Sequence, residues 1–406
     1  MSKSHGFALN LVSEANRLKI LSFIRDKEHI SRTELAQLAN LSLPAVSRIV
    51  GLLLRQGYVR EVGLGDSRGG RKPVMVEAVP DVGFVIGVDL GGTRILAAAA
   101  DLHGRVLHVA EARPEGTRLI DSLFTAIREA VHRLDKEQRK RLLGIGIGTP
   151  GLLDYTRGVV ITAANLGWKN VPLRDRVQEE FNLPAFVDND ANVAALAEWL
   201  QGAGRGVQHL VHITVSRGLG AGIIINGQMH RGAGGTAGEI GETFMLESAK
   251  TECGWQTLEG LCAGRALVQQ AEDALKRGEA AALHAPVTFE TILSAAKGGD
   301  ALSVRLLQRA ADYLSVGIAN FVNTFDPQLV IVGGMLARAG DLVLKPIREK
   351  LDRLLGPVLR EKVQVTLGTL GERAGVIGAA SLVLHQAFAP PLQHGEAVSL
   401  LPLRTY

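Results

Sequence analysis

The sequence predicts a small winged helix-turn-helix at the N-terminus, followed by a larger α/β body. Three observations predict it. Residues 1–80 hold twelve Lys/Arg against seven Asp/Glu, while the other 326 hold 33 against 34. The same eighty residues show helical and then strand periodicity, in the order helix, helix, turn, helix, hairpin. From residue 84 the pattern becomes apolar strand-like runs punctuated by glycine, as in α/β domains.

Length and composition limit the alternatives. A chain of 406 residues exceeds one ordinary core, so two or three domains are expected. With 46% hydrophobic and 21% charged residues it is a globular and not a disordered chain. Charges or glycines interrupt every apolar run before bilayer length, and the N-terminus lacks a signal-peptide pattern. Two cysteines, Cys253 and Cys262, give no disulfide framework. A cytoplasmic protein with no membrane partner is the expectation.

Leu18, Leu21 and Ile24 place a first helix over 12–26. Ser31-Arg32-Thr33-Glu34 fits a capping box opening a second helix. Asn40-Leu41 makes the turn, and Ser42 caps a third helix with Pro44 in its first turn. Val46, Ile49, Val50 and Leu53 form the buried face of that helix. Its other face presents Pro44, Ala45, Ser47 and Arg48, small enough to approach a groove and polar enough to reach phosphates or base edges. Residues 58–63 and 72–78 alternate as two strands around a loop carrying Arg68, Arg71 and Lys72. Arg71 is placed to enter a minor groove. The candidate DNA-contacting set is Arg32, Ser42, Pro44, Ser47, Arg48, Arg68, Arg71 and Lys72. A helical dimerisation cap with a solvated basic loop is the plainer alternative.

In the body, Phe84–Leu90 and Arg94–Asp101 flank Gly91-Gly92-Thr93. A carboxylate before a glycine turn, here Asp89, suits either a phosphate loop of the actin-like kinases or a tight hairpin. Then follow Gly144–Gly151, Asn165-Leu166-Gly167-Trp168, Asn189-Asp190-Ala191-Asn192, Gly218–Gly222, Gly238-Glu239-Ile240-Gly241 and Val330–Gly334. Together with the Gly-Arg-rich wing, Gly69-Gly70-Arg71-Lys72-Pro73, this series resembles the ROK family of repressors and sugar kinases over essentially residues 12–388. The resemblance implies a duplicated actin/ribonuclease-H-like fold in two lobes with a sugar in the cleft between them. The divisions expected are 1–80 for the head, 81–200 and 201–388 for the lobes, and 389–406 for a tail.

By the same resemblance Asn189, Asp190, Glu239 and Glu259 contact the sugar, with Asn165 and Glu242 added. Asp190 matches the base that deprotonates the attacked hydroxyl in the kinases. Its simpler role is to cap the helix expected over 191–200. Asp89, Gly91, Gly92, Thr93 and Arg217 form the remnant of the phosphate loops. Two departures separate this chain from the kinases. Ser216-Arg217-Gly218 replaces a Gly-Thr-Gly, so ATP and magnesium are not expected as cofactors. Glu242 stands where a zinc-binding His is usual, and Cys253 alone cannot complete a tetrahedral site, so no zinc is expected. Cys262 reads as a buried core thiol.

The expectation is therefore a non-enzymatic regulator, a repressor of sugar-metabolism or transport genes. It would bind palindromic operator DNA as a homodimer or homotetramer and respond to a sugar or sugar derivative. The alternatives are a glucokinase-like enzyme carrying a DNA-binding head, and a regulator whose effector is a protein.

Overall fold

The computed structural model describes residues 2–65, 72–114, 119–247, 254–388 and 401. Arg68, Arg71 and Cys253 lie outside the described residues, as does nearly all of the tail 389–406.

The head is built as α1 (Ser2–Lys27), β1 (Ile30–Ser31), α2 (Arg32–Ala39), α3 (Leu43–Arg55), β2 (Val59–Leu64) and β3 (Val74–Ala78). Ser31 Oγ accepts from the Glu34 amide at 3.2 Å while Glu34 Oε2 accepts from the Ser31 amide at 2.9 Å, the reciprocal pair of a capping box. Asn40 adopts the left-handed conformation, which a short polar side chain tolerates, and the chain turns through 115° into α3. Ser42 caps α3 and Pro44 sits in its first turn. The third strand of the wing is the two-residue β1, paired with β3 through Ile30 and Val76. Two residues carry too little alternation to be seen in sequence.

Contacts group the chain into two compact units. One holds 1–147, 173–187 and 379–406; the other holds 148–172 and 188–378. The chain thus passes between units at four places, where a single division near residue 200 was expected. The head belongs to the first unit outright. Leu21, Ile24, Val46 and Val50 share one hydrophobic core with Val85 and Leu102 of the lobe and with Val383 and Phe388 of the helix Ala374–Phe388. Arg25 of α1 lies 4.1 Å over the Phe388 ring.

Each unit is organised on a five-stranded sheet. The first is made, in chain order, of Phe84–Leu90, Ile95–Asp101, Val106–Ala112, Leu142–Thr149 and Ala185–Asn189. The second is made of Leu210–Val215, Leu219–Ile225, Gln228–His230, Leu329–Gly333 and Gln364–Leu367. Counted within each sheet, both have the spatial order 3-2-1-4-5, so the duplicated α/β fold expected from the motifs is present. Strands such as Ile95–Asp101 are buried along their whole length, which explains their unbroken apolar runs. The long helix Ala301–Phe325 buries Leu302, Leu306, Leu307, Ala310, Leu314 and Ile318, the face read from the sequence. No single helix among the described residues is long and apolar enough to cross a membrane.

Candidate functional site

Two sites are assembled from the predicted residues, one in each unit. On the head, Ser42, Pro44, Ser47 and Arg48 are exposed along one face of α3, while Val46, Val50 and Leu53 are buried on the other. Leu43, not singled out from sequence, is 46% exposed at the start of the same face, where an apolar side chain can meet a thymine methyl. Arg32 is already engaged: its Nη2 donates to Glu61 Oε1 of β2 at 2.8 Å, tying α2 to the wing. Lys72 is exposed beside the wing loop.

The second site lies within the second unit, at the start of the helix Asp190–Gln201. That helix is capped by Asn189, whose Oδ1 accepts from the Ala191 amide at 2.8 Å. The cap expected of Asp190 therefore falls one residue earlier, and Asp190 is the first helical residue. Asn189 also donates through Nδ2 to the Gly151 carbonyl at 3.2 Å, so both ends of its amide are used locally. Asp190 stands at the positive end of the helix dipole, yet burial pushes its carboxyl above the usual range.

Glu239 follows a glycine-rich loop, 231–238. A Cβ at Gly238 would sit 1.9 Å from the Ala221 carbonyl oxygen, and φ there is +99°, so only glycine lets the loop close on the sheet. Glu239 is raised by burial first, then by the charges of Asp190, Glu242 and Glu259. Those four carboxylates thus share one neighbourhood. Glu242 is exposed on the turn Ile240–Glu242. Glu259 is partly spent: Oε2 accepts from the Leu219 amide at 2.8 Å and Oε1 from Arg265 Nη2 at 3.2 Å. It braces the 216–219 turn against the helix Gly264–Lys276. Asn165 is exposed on the turn Ala164–Leu166, with no hydrogen bond to the carboxylates among the described residues.

Asp188, Asn192 and Arg231 were missed. Asp188 Oδ2 accepts from Arg231 Nε at 2.9 Å, and its Oδ1 accepts from the Asn189 amide at 2.8 Å and from Asn192 Nδ2 at 2.9 Å. Asp188 directly precedes Asn189, but no local pattern could have revealed a partner 43 residues away.

Of the phosphate-loop remnant, Asp89 is half-buried at the end of its strand, and the Gly91 amide donates to the Arg94 carbonyl at 3.0 Å. Gly92 and Thr93 are exposed at the turn of an antiparallel hairpin, so the hairpin reading of this segment holds as geometry. Arg217 is exposed, and its carbonyl accepts from the Arg265 amide and side chain. Ser216 Oγ accepts from the Met335 amide at 3.3 Å, fastening this turn to the turn after Leu329–Gly333.

The comparisons with known proteins match the same two parts of the chain. The ROK family model matches residues 85–386, and a winged helix-turn-helix DNA-binding model matches residues 14–60. The chain belongs to the ROK family. This ROK protein is 35% identical over 392 residues to a xylose repressor of Caldicellulosiruptor bescii, covering 94% of this chain and 98% of the relative. A solved ROK family transcriptional regulator, a homologue of the E. coli MLC protein, superposes with a TM-score of 0.79 at 26% identity over 92% of this chain and 96% of that one. A ROK family glucokinase from Streptomyces griseus, solved with glucose and AMPPNP, gives 0.66 at 34% identity. It covers 99% of the kinase but 74% of this chain, so a quarter of this ROK protein has no counterpart there.

Proposed function

We propose that this ROK protein is a sugar-responsive transcriptional repressor whose carboxylate cluster binds an aldose or aldose derivative. One observation carries it: the recognition helix, the first lobe and the C-terminal helix share a single hydrophobic core, with Arg25 stacked on Phe388. A head packed this way is not a bead on a linker. A ligand that binds better when the head is held in one way than in another would shift DNA affinity, which is all that allosteric control requires. The full-length match to a xylose repressor supports the same reading, and makes a pentose the first sugar to try.

Asp190, Glu239 and Glu242 would accept charge-assisted hydrogen bonds from sugar hydroxyls, with Asn165, Asn189 and Glu259 at the margin. Ser42, Leu43, Pro44, Ser47 and Arg48 would meet the major groove, with Arg32, Arg68, Arg71 and Lys72 at the backbone or minor groove. A two-fold homodimer in the cytoplasm would present two recognition helices to a palindromic operator.

The proposal includes neither nucleotide nor zinc. The Ser216 hydroxyl and the Arg217 carbonyl are both engaged in holding the turn that would have to cradle phosphates. Cys262 is buried with Sγ donating to the Leu258 carbonyl, and burial pushes its thiol up to about 12, unsuited to ligation.

A kinase reading is favoured by Asp190, the Asp89-Leu90-Gly91-Gly92-Thr93 turn and the match of the body to a ROK family glucokinase. Calorimetry against a panel of aldoses, with and without MgATP, separates the two. Binding without ATP and without consumption is expected; sugar-dependent ATP turnover would make this an enzyme.

A further inference from the structure

We propose that Arg231 and Asp188 are a positioning pair that sets the affinity of the carboxylate site, a step that rests on the sugar-binding reading above. Asp188 is the penultimate residue of the strand Ala185–Asn189 and leads directly into Asn189 and Asp190. Arg231 opens the glycine-rich loop that ends at Glu239. The pair therefore joins the two segments that carry the central carboxylates, which are far apart in sequence.

The geometry is that of a clamp and not a passing surface contact. Arg231 presents Nε at 2.9 Å and Nη2 at 2.7 Å to the same oxygen, Asp188 Oδ2. The Asp188 side chain is 5% exposed and that of Arg231 23%. The other oxygen, Oδ1, holds the Asn189 amide and the Asn192 side chain. With both oxygens committed, Asp188 is not itself a ligand-binding group. The Arg231 guanidinium also lies over the Tyr155 ring, 5.1 Å from its centroid. Its carbonyl accepts from the Ala237 amide at 3.1 Å, closing the loop on itself two residues before Glu239.

The pair also governs charge. Asp190 and Glu239 both have carboxyls pushed upward, so a fifth uncompensated carboxylate beside them would be costly. Arg231 compensates Asp188, so the uncompensated negative charge stays on the neighbouring Asp190 and Glu239. A lysine could supply the charge but not the planar fork with two donors.

The test uses full-length Arg231→Gln, Arg231→Lys and the double variant Asp188→Asn/Arg231→Gln. Hydrogen exchange of the ligand-free proteins reads the positioning directly. In Arg231→Gln, exchange in 188–192 and 232–239 should rise about tenfold while α3 stays unchanged. Calorimetry with an aldose bound by the wild type should show affinity reduced roughly 10- to 100-fold, the scale of a misplaced binding group. Operator affinity without sugar should stay within about twofold. Arg231→Lys should recover part of the loss, and the double variant should be no worse than Arg231→Gln, since it leaves no unpaired charge. If Arg231→Gln does not fold, the other two variants carry the comparison. Unchanged exchange in either segment, or unchanged sugar affinity, overturns the proposal. Failure of the wild type to bind any aldose would overturn the ligand reading and the affinity effect, while exchange still decides whether the pair pins the two segments.

Discussion

Gly51 sits inside the recognition helix α3, where glycine is costly and its own surroundings give no reason for it. At 100° per residue, 51 falls between 44, 47, 48 and 55, in the middle of the face opposite Val46, Val50 and Leu53. A Cβ added there would meet only Arg55 Nη1, at 3.6 Å, an ordinary contact with a flexible side chain. Gly51→Ala should therefore stabilise the protein by about 1 kcal/mol, the propensity difference in a helix interior, with no clash to subtract. Close approach of DNA is the remaining use for a bare backbone at that point. The same substitution should weaken operator binding by about tenfold, equal to about 1.4 kcal/mol. Urea denaturation and fluorescence anisotropy on labelled operator measure the two effects. Greater stability together with unchanged or tighter operator binding would show that α3 does not bring this face to DNA.

Further outcomes follow from the packing and the titrating groups. Ser31→Ala removes the reciprocal cap of α2 and should cost about 1 kcal/mol in chemical denaturation, with Ser31→Thr nearly neutral. His212 is buried, and desolvation lowers its pKa from 6.5 to about 4, partly opposed by the charge of Glu198. Its neutral form is favoured by folding, so its contribution is complete above pH 6.5 and is lost as pH falls from 6.5 through 4. The loss is at most on the order of 3 kcal/mol. Urea midpoints of wild type and His212→Gln at pH 7 and pH 5 test this, and equal pH dependence in the two would refute it. In the native protein Cys262 should resist iodoacetamide in peptide mapping, and elemental analysis should find far less than one zinc per chain. Rapid labelling of Cys262 or stoichiometric zinc would contradict the reading of that region.

Local signals in the sequence were read correctly where the physics is local. The Ser31–Glu34 box, the Ser42 cap and the apolar stripe Val46, Ile49, Val50 and Leu53 depend on spacings of three and four residues; all are present, with Ile49 at the edge of the stripe and half-buried. The glycine-punctuated runs of the body became the strands of two sheets with the same strand order, because buried strands need apolar residues on both faces. Asp190 was misplaced as a cap by one residue, since Asn189 and Asp190 are equally good caps and only the backbone decides. Long-range pairing was invisible. Neither Arg231 meeting Asp188 nor Arg32 meeting Glu61 leaves a mark in the intervening residues. The same holds for the shared core of head and lobe, whose members run from Leu18 to Leu401. Glu259 shows what a motif leaves out: it identified a carboxylate near the site, but not that its oxygens also hold the Leu219 amide and Arg265.

The most direct measurement is operator affinity of the intact protein with and without sugar. The operator is first selected from random duplexes by the protein itself, and anisotropy is then followed while xylose, glucose and other aldoses are added without ATP. The account predicts salt-dependent, nanomolar-range binding to a palindrome, shifted at least tenfold by one sugar and by none in Asp190→Ala. Tight operator binding that no sugar alters, or a sugar response that survives Asp190→Ala intact, would contradict it.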